Sequence, residues 1–193
     1  MSDLVLDPLT TALVLIDLQR GIASATTAPH ASADVVARAR DLVLRFRARN
    51  ALVVFVRVDP GPHWELFPRV TADVPRPRPA GGLPPDWIEI LPELEPAVGD
   101  VIVTKHQPGA FFNTDLDTHL RRRGIRTIVL GGISTNIGVE ATARVAFELG
   151  YDQIFVEDAM AAREADLHVH AVTRFFPTIG RVRATADVLA ALA

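Results

Sequence analysis

The feature that most constrains the fold is a short apolar run that passes through two glycines into a helical pattern. Residues 127–130 (TIVL) are apolar and β-branched, as in a parallel strand that is covered on both faces. Gly131 and Gly132 follow, and apolar residues then recur at helical spacing from Val139 until Gly150. The pattern predicts a buried strand, a turn and a helix. Backbone N–H groups at the start of that helix would face the carboxyl end of the strand, where they could bind an anion or an oxyanion.

Apolar strand-like runs alternate with helical patterns along the rest of the chain. The predicted strands are residues 12–16, 52–58, 101–104, 127–130, 153–156 and 180–185, and the predicted helices are 33–50, 115–123, 139–149, 164–175 and 186–193. Alternation of this kind indicates βαβ units and a parallel sheet. The predicted fold class is α/β, a three-layer, doubly wound, Rossmann-like parallel sheet of about six strands flanked by helices. The length of the chain suits a single domain, residues 1–193.

Charge and cysteine content exclude several classes of function. A net charge of -3 does not attract nucleic acid or an anionic membrane surface, so the expected partners are a small-molecule substrate and other copies of the chain. The sequence has no cysteine, which excludes disulfides, thiolate metal sites and thiol catalysis. The amino-terminal residues lack the features of a signal peptide, and no apolar run approaches the ~20 residues that span a bilayer, so we expect a cytoplasmic protein.

A proline-rich segment interrupts the alternation. Residues 60–96 hold ten of the fourteen prolines, which is too dense for regular structure over most of that length. We interpret the segment as a lid or as a contact between subunits. Together with a positive mean hydropathy of +0.22, it leads us to expect a homo-oligomer.

Polar residues follow the predicted strands, where ligands bind to an open α/β sheet. They are Asp17, Asp59, Lys105, the turn 131–138, and the pair Glu157 and Asp158. Asp17 directly follows the run ALVLI and is read as a catalytic acid or base, with a turn-capping carboxylate as the alternative. Lys105 is read as the partner of Asp17, with a solvated surface lysine as the alternative.

Residues 131–162, GGISTNIGVEATARVAFELGYDQIFVEDAMAA, resemble the signature of the isochorismatase-like (cysteine hydrolase) superfamily, which includes nicotinamidases, N-carbamoyl amidases and isochorismatases. In most members a catalytic cysteine occupies the position of Gly138, whereas isochorismatases carry glycine there and hydrolyse a vinyl ether without a covalent intermediate. The resemblance also matches Asp17 in LIDLQ and Lys105 in VTKHQPGAFFNTDL to the family's aspartate and lysine. It implies a cis peptide bond between Ile133 and Ser134, and an oxyanion hole formed by the N–H groups of Ser134 and Gly138.

Three functions remain open on this basis. If burial keeps Asp17 protonated, it can protonate the methylene carbon of a small carboxylated enol ether such as isochorismate. If Asp17 is ionised, it can activate water to hydrolyse an amide or an ester. The third possibility is a degenerate member that binds a small acid without turnover. Gly138 is either a product of drift or a means of leaving room for substrate or water.

Other residues are weaker candidates. Ile133, Ser134, His106, Phe111 and Phe112 are predicted substrate contacts, although the two phenylalanines could instead seat the next helix. Asp59 and His63 are too few to form a metal site, so neither a metal nor a cofactor is expected. Ser134 and Thr135 are interpreted as helix caps rather than nucleophiles, because no histidine is expected beside them as a base. His168 and His170 are interpreted as surface or packing residues.

Overall fold

The computed structural model describes residues 4–74, 78 and 81–192. Six strands are present in these ranges: β1 (Thr11–Ile16), β2 (Leu52–Val58), β3 (Val101–Lys105), β4 (Thr127–Ile133), β5 (Asp152–Ala161) and β6 (Arg181–Arg183). The helices are α1 (Arg20–Ala23), α2 (Ser32–Ala48), α3 (Leu116–Arg122), α4 (Glu140–Glu148), α5 (Ala165–His170) and α6 (Thr185–Ala191). None of the helices in the described ranges has the length and apolarity needed to cross a lipid bilayer.

The strands form one parallel sheet in the order β3-β2-β1-β4-β5-β6. β1 pairs with β2 on one side and with β4 on the other, so the winding direction reverses between β1 and β4. This confirms the prediction of a doubly wound sheet. In such a fold, ligands bind outside the carboxyl ends of the strands at the point of reversal.

The sheet is covered on both faces, and alternate residues of β1 show how. Leu13 and Leu15 belong to the core on one face, with residues of α2 and α6. Val14 and Ile16 belong to the core on the other face, with residues of α3 and α4. Because both faces are buried, the strand reads as a continuous apolar run rather than an alternating one.

The glycine pair does not end β4, as the sequence predicted, but lies inside it. β4 continues to Ile133, and Gly132 has a φ of 126°. A Cβ atom on Gly132 would lie 2.1 Å from the carbonyl oxygen of Ile16 in β1. Glycine is therefore required here because the two backbones approach too closely for any side chain.

β5 is also longer than predicted, because a bulge divides it. Leu130 pairs with Phe155 and Gly132 pairs with Met160, so Gly131 alone faces residues 156–159. Bulges of this kind redirect side chains and are common beside active sites. Glu157 lies within the bulge, at the same end of the sheet as the turn after β4.

The turn after β4 is a π-helical turn, Thr135–Val139, that leads into α4. Ser134 occupies the N-cap position of this turn, as predicted, with an extended backbone, but its side chain makes no capping hydrogen bond. A second π-helical turn, Ala171–Phe175, divides the predicted helix 164–175 after α5. Short π-helical segments are often found at functional sites.

The described part of the proline-rich segment contains one turn of 3₁₀ helix, Pro92–Leu94, and is otherwise irregular. Its second half packs on the residues that follow β1. Gly21 N donates to Trp87 O over 3.0 Å, and Gln19 forms an isolated antiparallel bridge with Ile90. The sequence did not predict α1, whose backbone is hydrogen-bonded to the second half of the proline-rich segment. The segment therefore covers the chain just beyond the carboxyl end of β1.

Candidate active site

Asp17 is the first residue after β1, at the point where the sheet reverses its winding. Its backbone is left-handed, with a φ of 55°, and its N–H donates to Val56 O over 2.8 Å. This conformation is uncommon for residues other than glycine and tends to mark functional positions. The carboxyl group is buried, and Oδ1 has no hydrogen-bond partner among the residues described. An unpaired buried oxygen is costly unless a ligand or proton uses it.

Lys105 is the last residue of β3, two strands away from β1, and its side chain extends to Asp17. Its Nζ lies 3.0 Å from Asp17 Oδ2 and donates to Pro108 O over 2.5 Å. The side chain is fully buried. Lys105 is also the only lysine in the sequence, and every other basic residue of the Lys/Arg type is arginine. That composition was a signal for its special role which the sequence interpretation did not use.

Two opposing effects set the protonation of Asp17. Burial raises its pKa, whereas the charge of Lys105 and the hydrogen bond from it lower the pKa, and the net result is about 6. Asp17 is therefore present in both protonated and ionised forms near neutral pH. Because Oδ2 accepts from Lys105, the proton of the neutral form belongs on Oδ1, which has no other partner.

Gly138 lies in the π-helical turn directly beside this pair. A Cβ atom on Gly138 would lie 2.8 Å from Ile16 Cγ2, 2.9 Å from Asp17 Oδ2 and 3.2 Å from Lys105 Nζ. The hypothesis that glycine leaves empty room at this position is therefore wrong, because the ion pair and Ile16 already occupy it. With neither a cysteine nor any other side chain, position 138 offers no nucleophile to activate.

A buried threonine that the sequence interpretation missed links the turn to the segment after β3. Thr142 Oγ1 donates to Gly138 O over 2.7 Å and accepts from Ala110 N over 3.2 Å. Its position four residues after Gly138, on the apolar face of α4, allows this geometry. Thr142 therefore fixes the turn relative to the loop that carries Pro108.

The peptide bond between Ile133 and Ser134 is cis, as the resemblance implies. The side chain of Ile133 is buried in the core on the α2 face, so only its backbone is available to a ligand. Thr135 Oγ1 lies 2.9 Å from His168 Nδ1. The expectation that no histidine lies beside this turn is therefore wrong. Thr135 is fully buried, however, and has no exposed surface with which to attack a substrate.

The remaining predicted substrate contacts are dispersed. Phe111 is buried and stacks on Tyr151 with ring centroids 5.8 Å apart, which favours the packing alternative. Phe112 is 74% exposed. His106 is tethered through Nδ1 to Asp59 O at 2.6 Å. Asp59 itself accepts from Gly61 N over 2.9 Å and thereby caps a turn.

Of the polar side chains at the strand ends, those of Asp17 and Lys105 contact each other, beside Gly138 of the turn. Asp158 binds Arg38 at 3.1 Å and accepts from Thr185 N at the start of α6. Glu157 turns toward His30 and His168 instead. Partial burial raises the pKa of Glu157, but hydrogen bonds with the two histidines outweigh this and lower it. Burial lowers the pKa of His168.

Comparison with known proteins gives a consistent match. The family model of the isochorismatase domain matches residues 11–187. An uncharacterised isochorismatase family protein of Bacillus subtilis, YwoC, is 47% identical over 98% of this chain and 97% of its own length. The solved structure of an isochorismatase family protein from Burkholderia thailandensis is 46% identical, covers 99% of both chains and superposes with a TM-score of 0.91.

Two further similar proteins carry named activities. The ureidoacrylate amidohydrolase RutB of Stutzerimonas stutzeri is 34% identical over 77% of this chain and 68% of its own. The N-carbamoylsarcosine amidase of Thermoplasma acidophilum is 30% identical, covers 91% of this chain and 96% of its own, and has a TM-score of 0.71. The names of both proteins denote hydrolysis of a C–N bond.

Proposed function

The chain belongs to the isochorismatase family of hydrolases, and from this premise we propose that it hydrolyses a small carboxylated enol ether, such as isochorismate, without a covalent intermediate. One observation carries the proposal: a buried carboxyl group with a pKa of about 6 and an unpaired oxygen lies beside a glycine that can supply no nucleophile. A carboxyl group with such a pKa is suited to donate a proton near neutral pH.

The proposed reaction begins with proton transfer from Asp17 Oδ1 to the methylene carbon of the enol ether. The methylene becomes a methyl group, and the ether carbon becomes an oxocarbenium-like cation. Water adds to that carbon and loses a proton, which restores the neutral carboxyl group of Asp17. The resulting hemiketal breaks its C–O bond to release an alcohol and a keto acid. General acid catalysis of this kind contributes about 10²- to 10⁴-fold.

Lys105 supports this reaction by positioning Asp17. Its ammonium already binds Asp17 Oδ2 and Pro108 O, and it is fully buried. This geometry favours a role in fixing Oδ2 and lowering the pKa of Asp17, rather than one in holding a substrate carboxylate. The backbone N–H groups of Ser134 and Gly138 would polarise the substrate, as the resemblance implies.

Hydrolysis of a C–N bond is the second candidate, and the similarity to an amidohydrolase and an amidase supports it. In that reaction ionised Asp17 takes a proton from water, which attacks the carbonyl carbon of an amide. The two candidates require opposite protonation states of Asp17. Activity falls as pH rises through about 6 if Asp17 is the acid, and falls as pH drops through the same value if it is the base.

The test is a screen of isochorismate, carbamoyl and nicotinamide compounds, followed by Asp17→Asn on whichever substrate is turned over. We expect Asp17→Asn to bind substrate but to lose ~100-fold or more in kcat, because asparagine keeps the shape without a transferable proton. Asp59→Asn, at the end of a neighbouring strand, serves as the matched control. Turnover by Asp17→Asn near the level of the unmodified protein would show that the mechanism is wrong. Binding without turnover of any compound would indicate a degenerate member.

The absence of a covalent intermediate has its own test. Iodoacetamide should leave activity unchanged, and intact mass during turnover should show only the unmodified chain. A covalent adduct on Ser134 or Thr135 would contradict the proposed mechanism.

A further inference from the structure

A second cluster of chemically active side chains contacts the turn after β4 at its first residue, Thr135. His30 comes from the loop before α2, Glu157 from the bulge of β5 and His168 from α5. One ligand atom from each lies within 4.8 Å of the others. The three residues are distant in sequence, so no local sequence motif predicts that they lie together. The proposed hydrolysis uses none of them.

The two histidines converge on one carboxylate oxygen. Glu157 Oε1 lies 2.8 Å from His30 Nε2 and 3.2 Å from His168 Nε2. The imidazole rings are nearly perpendicular, with centroids 5.6 Å apart and an interplanar angle of 85°. Ligands bonded to zinc at about 2.0–2.1 Å in a tetrahedral site lie about 3.3 Å from one another. The separation of 3.2 Å between His168 Nε2 and Glu157 Oε1 matches that spacing, and the separation of 2.8 Å from His30 Nε2 would have to widen slightly to admit an ion.

The ring nitrogen of His168 that faces away from Glu157 is hydrogen-bonded, as it is in metal-binding histidines. The ring is 1% exposed, and Nδ1 lies 2.9 Å from the buried hydroxyl of Thr135. If Nδ1–H donates to Thr135 Oγ1, the lone pair of Nε2 faces Glu157 and is available to a metal ion. A hydrogen bond of this kind fixes the tautomer and orientation of a ligand histidine.

Glu157 has no cationic partner other than these histidines among the residues described. The nearby guanidinium of Arg38 binds Asp158 instead, at 3.1 Å. With neutral imidazoles, the cluster therefore carries an uncompensated negative charge. The side chains of Glu157 and His30 are 35% and 24% exposed, so one side of the cluster is open to solvent. An ion could enter from that side and keep water in its remaining positions.

We propose that His30, Glu157 and His168 bind a divalent transition-metal ion, with zinc the best match. Two imidazole nitrogens and one carboxylate oxygen suit zinc and its neighbours in the first transition row, whereas magnesium and calcium prefer oxygen ligands. The site is separate from Asp59 and His63, the pair that the sequence suggested and rejected. Through Thr135 it is joined to the turn that begins at the cis peptide bond. A bound ion would therefore hold that turn in place.

The test measures metal binding directly, so its outcome does not depend on the proposed hydrolysis. The full chain is stripped with a chelator and titrated with Zn²⁺ by calorimetry, and with Co²⁺ by visible absorption. We expect one ion per chain and a higher Tm in its presence, since binding to the folded state stabilises it. Substoichiometric binding of Zn²⁺ to the stripped protein would overturn the proposal.

Variants decide whether this cluster is the site. Glu157→Gln keeps hydrogen-bonding capacity but removes the charge, and His30→Asn removes a partly exposed ligand, so neither is expected to prevent folding. Each should weaken Zn²⁺ binding by about 100-fold or more, because partners outside the ligand set alone contribute 10- to 100-fold. The matched control is His119→Asn, which alters a partly exposed histidine that lies 3.1 Å from Asp115. Unchanged affinity in Glu157→Gln and His30→Asn would show that the three residues form only a hydrogen-bonded triad.

Discussion

Gly138 lies directly against the ion pair of the candidate site. Glycine in a helical turn is less stable than alanine by about 1 kcal/mol, so its presence calls for a compensating reason. The contacts that a Cβ atom would make with Ile16, Asp17 and Lys105 supply that reason. At this position the absence of a side chain allows the ion pair to form against the backbone of the turn.

We expect Gly138→Ala to reduce kcat by at least 10-fold, because the new methyl group would displace Asp17 Oδ2 and Lys105 Nζ from their present positions. Gly109→Ala is the matched control, since a Cβ atom there would meet nothing closer than 3.6 Å. Steady-state kinetics on the substrate found by screening would measure both. Equal kcat for the two variants would show that the close packing at Gly138 is unimportant for catalysis.

The pKa of Asp17 also predicts how stability depends on pH. Its folded-state pKa of about 6 lies above the ordinary value of 3.8, so folding favours the protonated form. The stabilisation is complete below pH 3.8 and is lost as pH rises through 6. About two pKa units correspond to about 3 kcal/mol. Across this pH range, Asp17→Asn should therefore gain up to about 3 kcal/mol in free energy of unfolding relative to the unmodified protein. Urea denaturation at several pH values measures this, and a difference that stays constant with pH would contradict it.

At the level of elements, the sequence predicted whatever depends on local periodicity. β2 was predicted with its observed bounds, and α2 to within two residues, because their apolar patterns are long and continuous. The sequence did not predict the second half of β5. That half pairs with β4 only after a bulge, and the bulge depends on pairing between the two strands rather than on a local pattern. The π-helical turn after Ser134 was read as an ordinary helix start. The hydrogen bond from Thr142 to Gly138 O holds this turn, and no local pattern in the sequence shows that bond.

Gln19 links β2 to the second half of the proline-rich segment, which packs over the chain that follows β1. It is fully buried, accepts from Val58 N over 2.7 Å, and donates to Val58 O and Trp87 O over 3.0 and 3.2 Å. An unpaired buried polar group costs about 1–3 kcal/mol. We expect Gln19→Ala to lower the free energy of unfolding by about 2 kcal/mol more than Gln153→Ala does. Gln153 is the control because it is equally buried but donates a single long bond of 3.3 Å. Equal losses by thermal denaturation would mean that the hydrogen bonds of Gln19 are dispensable.

For the whole molecule, topology explains why two catalytic candidates were found from sequence and the histidine cluster was not. Asp17 and Lys105 follow strands directly, and all parallel strands end on the same edge of the sheet, so their meeting could be predicted. His30 lies in a loop and His168 in a helix, where strand order gives no guidance. The packing of α5 against the turn after β4 brings His168 to Glu157. The isolated bridge between Ala28 and Ala162 places the loop that carries His30 beside the same residue.

We expect the protein to form a homo-oligomer through the proline-rich segment, where Leu66 and Val70 are 50% and 82% exposed. Val70→Asp should shift the mass measured by light scattering at micromolar concentration toward that of the monomer, because a charge at an apolar contact is poorly solvated. Val98→Asp is the control, since Val98 is also exposed but lies outside this segment. A monomeric mass for the unmodified protein would show that the expectation is wrong.

The single lysine of this chain makes its candidate active site chemically addressable. Lys105 is fully buried, so an amine-reactive reagent should acetylate only the amino terminus while the protein stays folded. The ε-amine becomes reactive only when the site opens, and no other lysine can obscure the signal. The rate of its modification, followed by mass spectrometry, would therefore report how often the closed carboxylate–ammonium pair is exposed to solvent. A ligand that binds against the pair should slow that rate, which would allow substrates to be recognised before any turnover is detected.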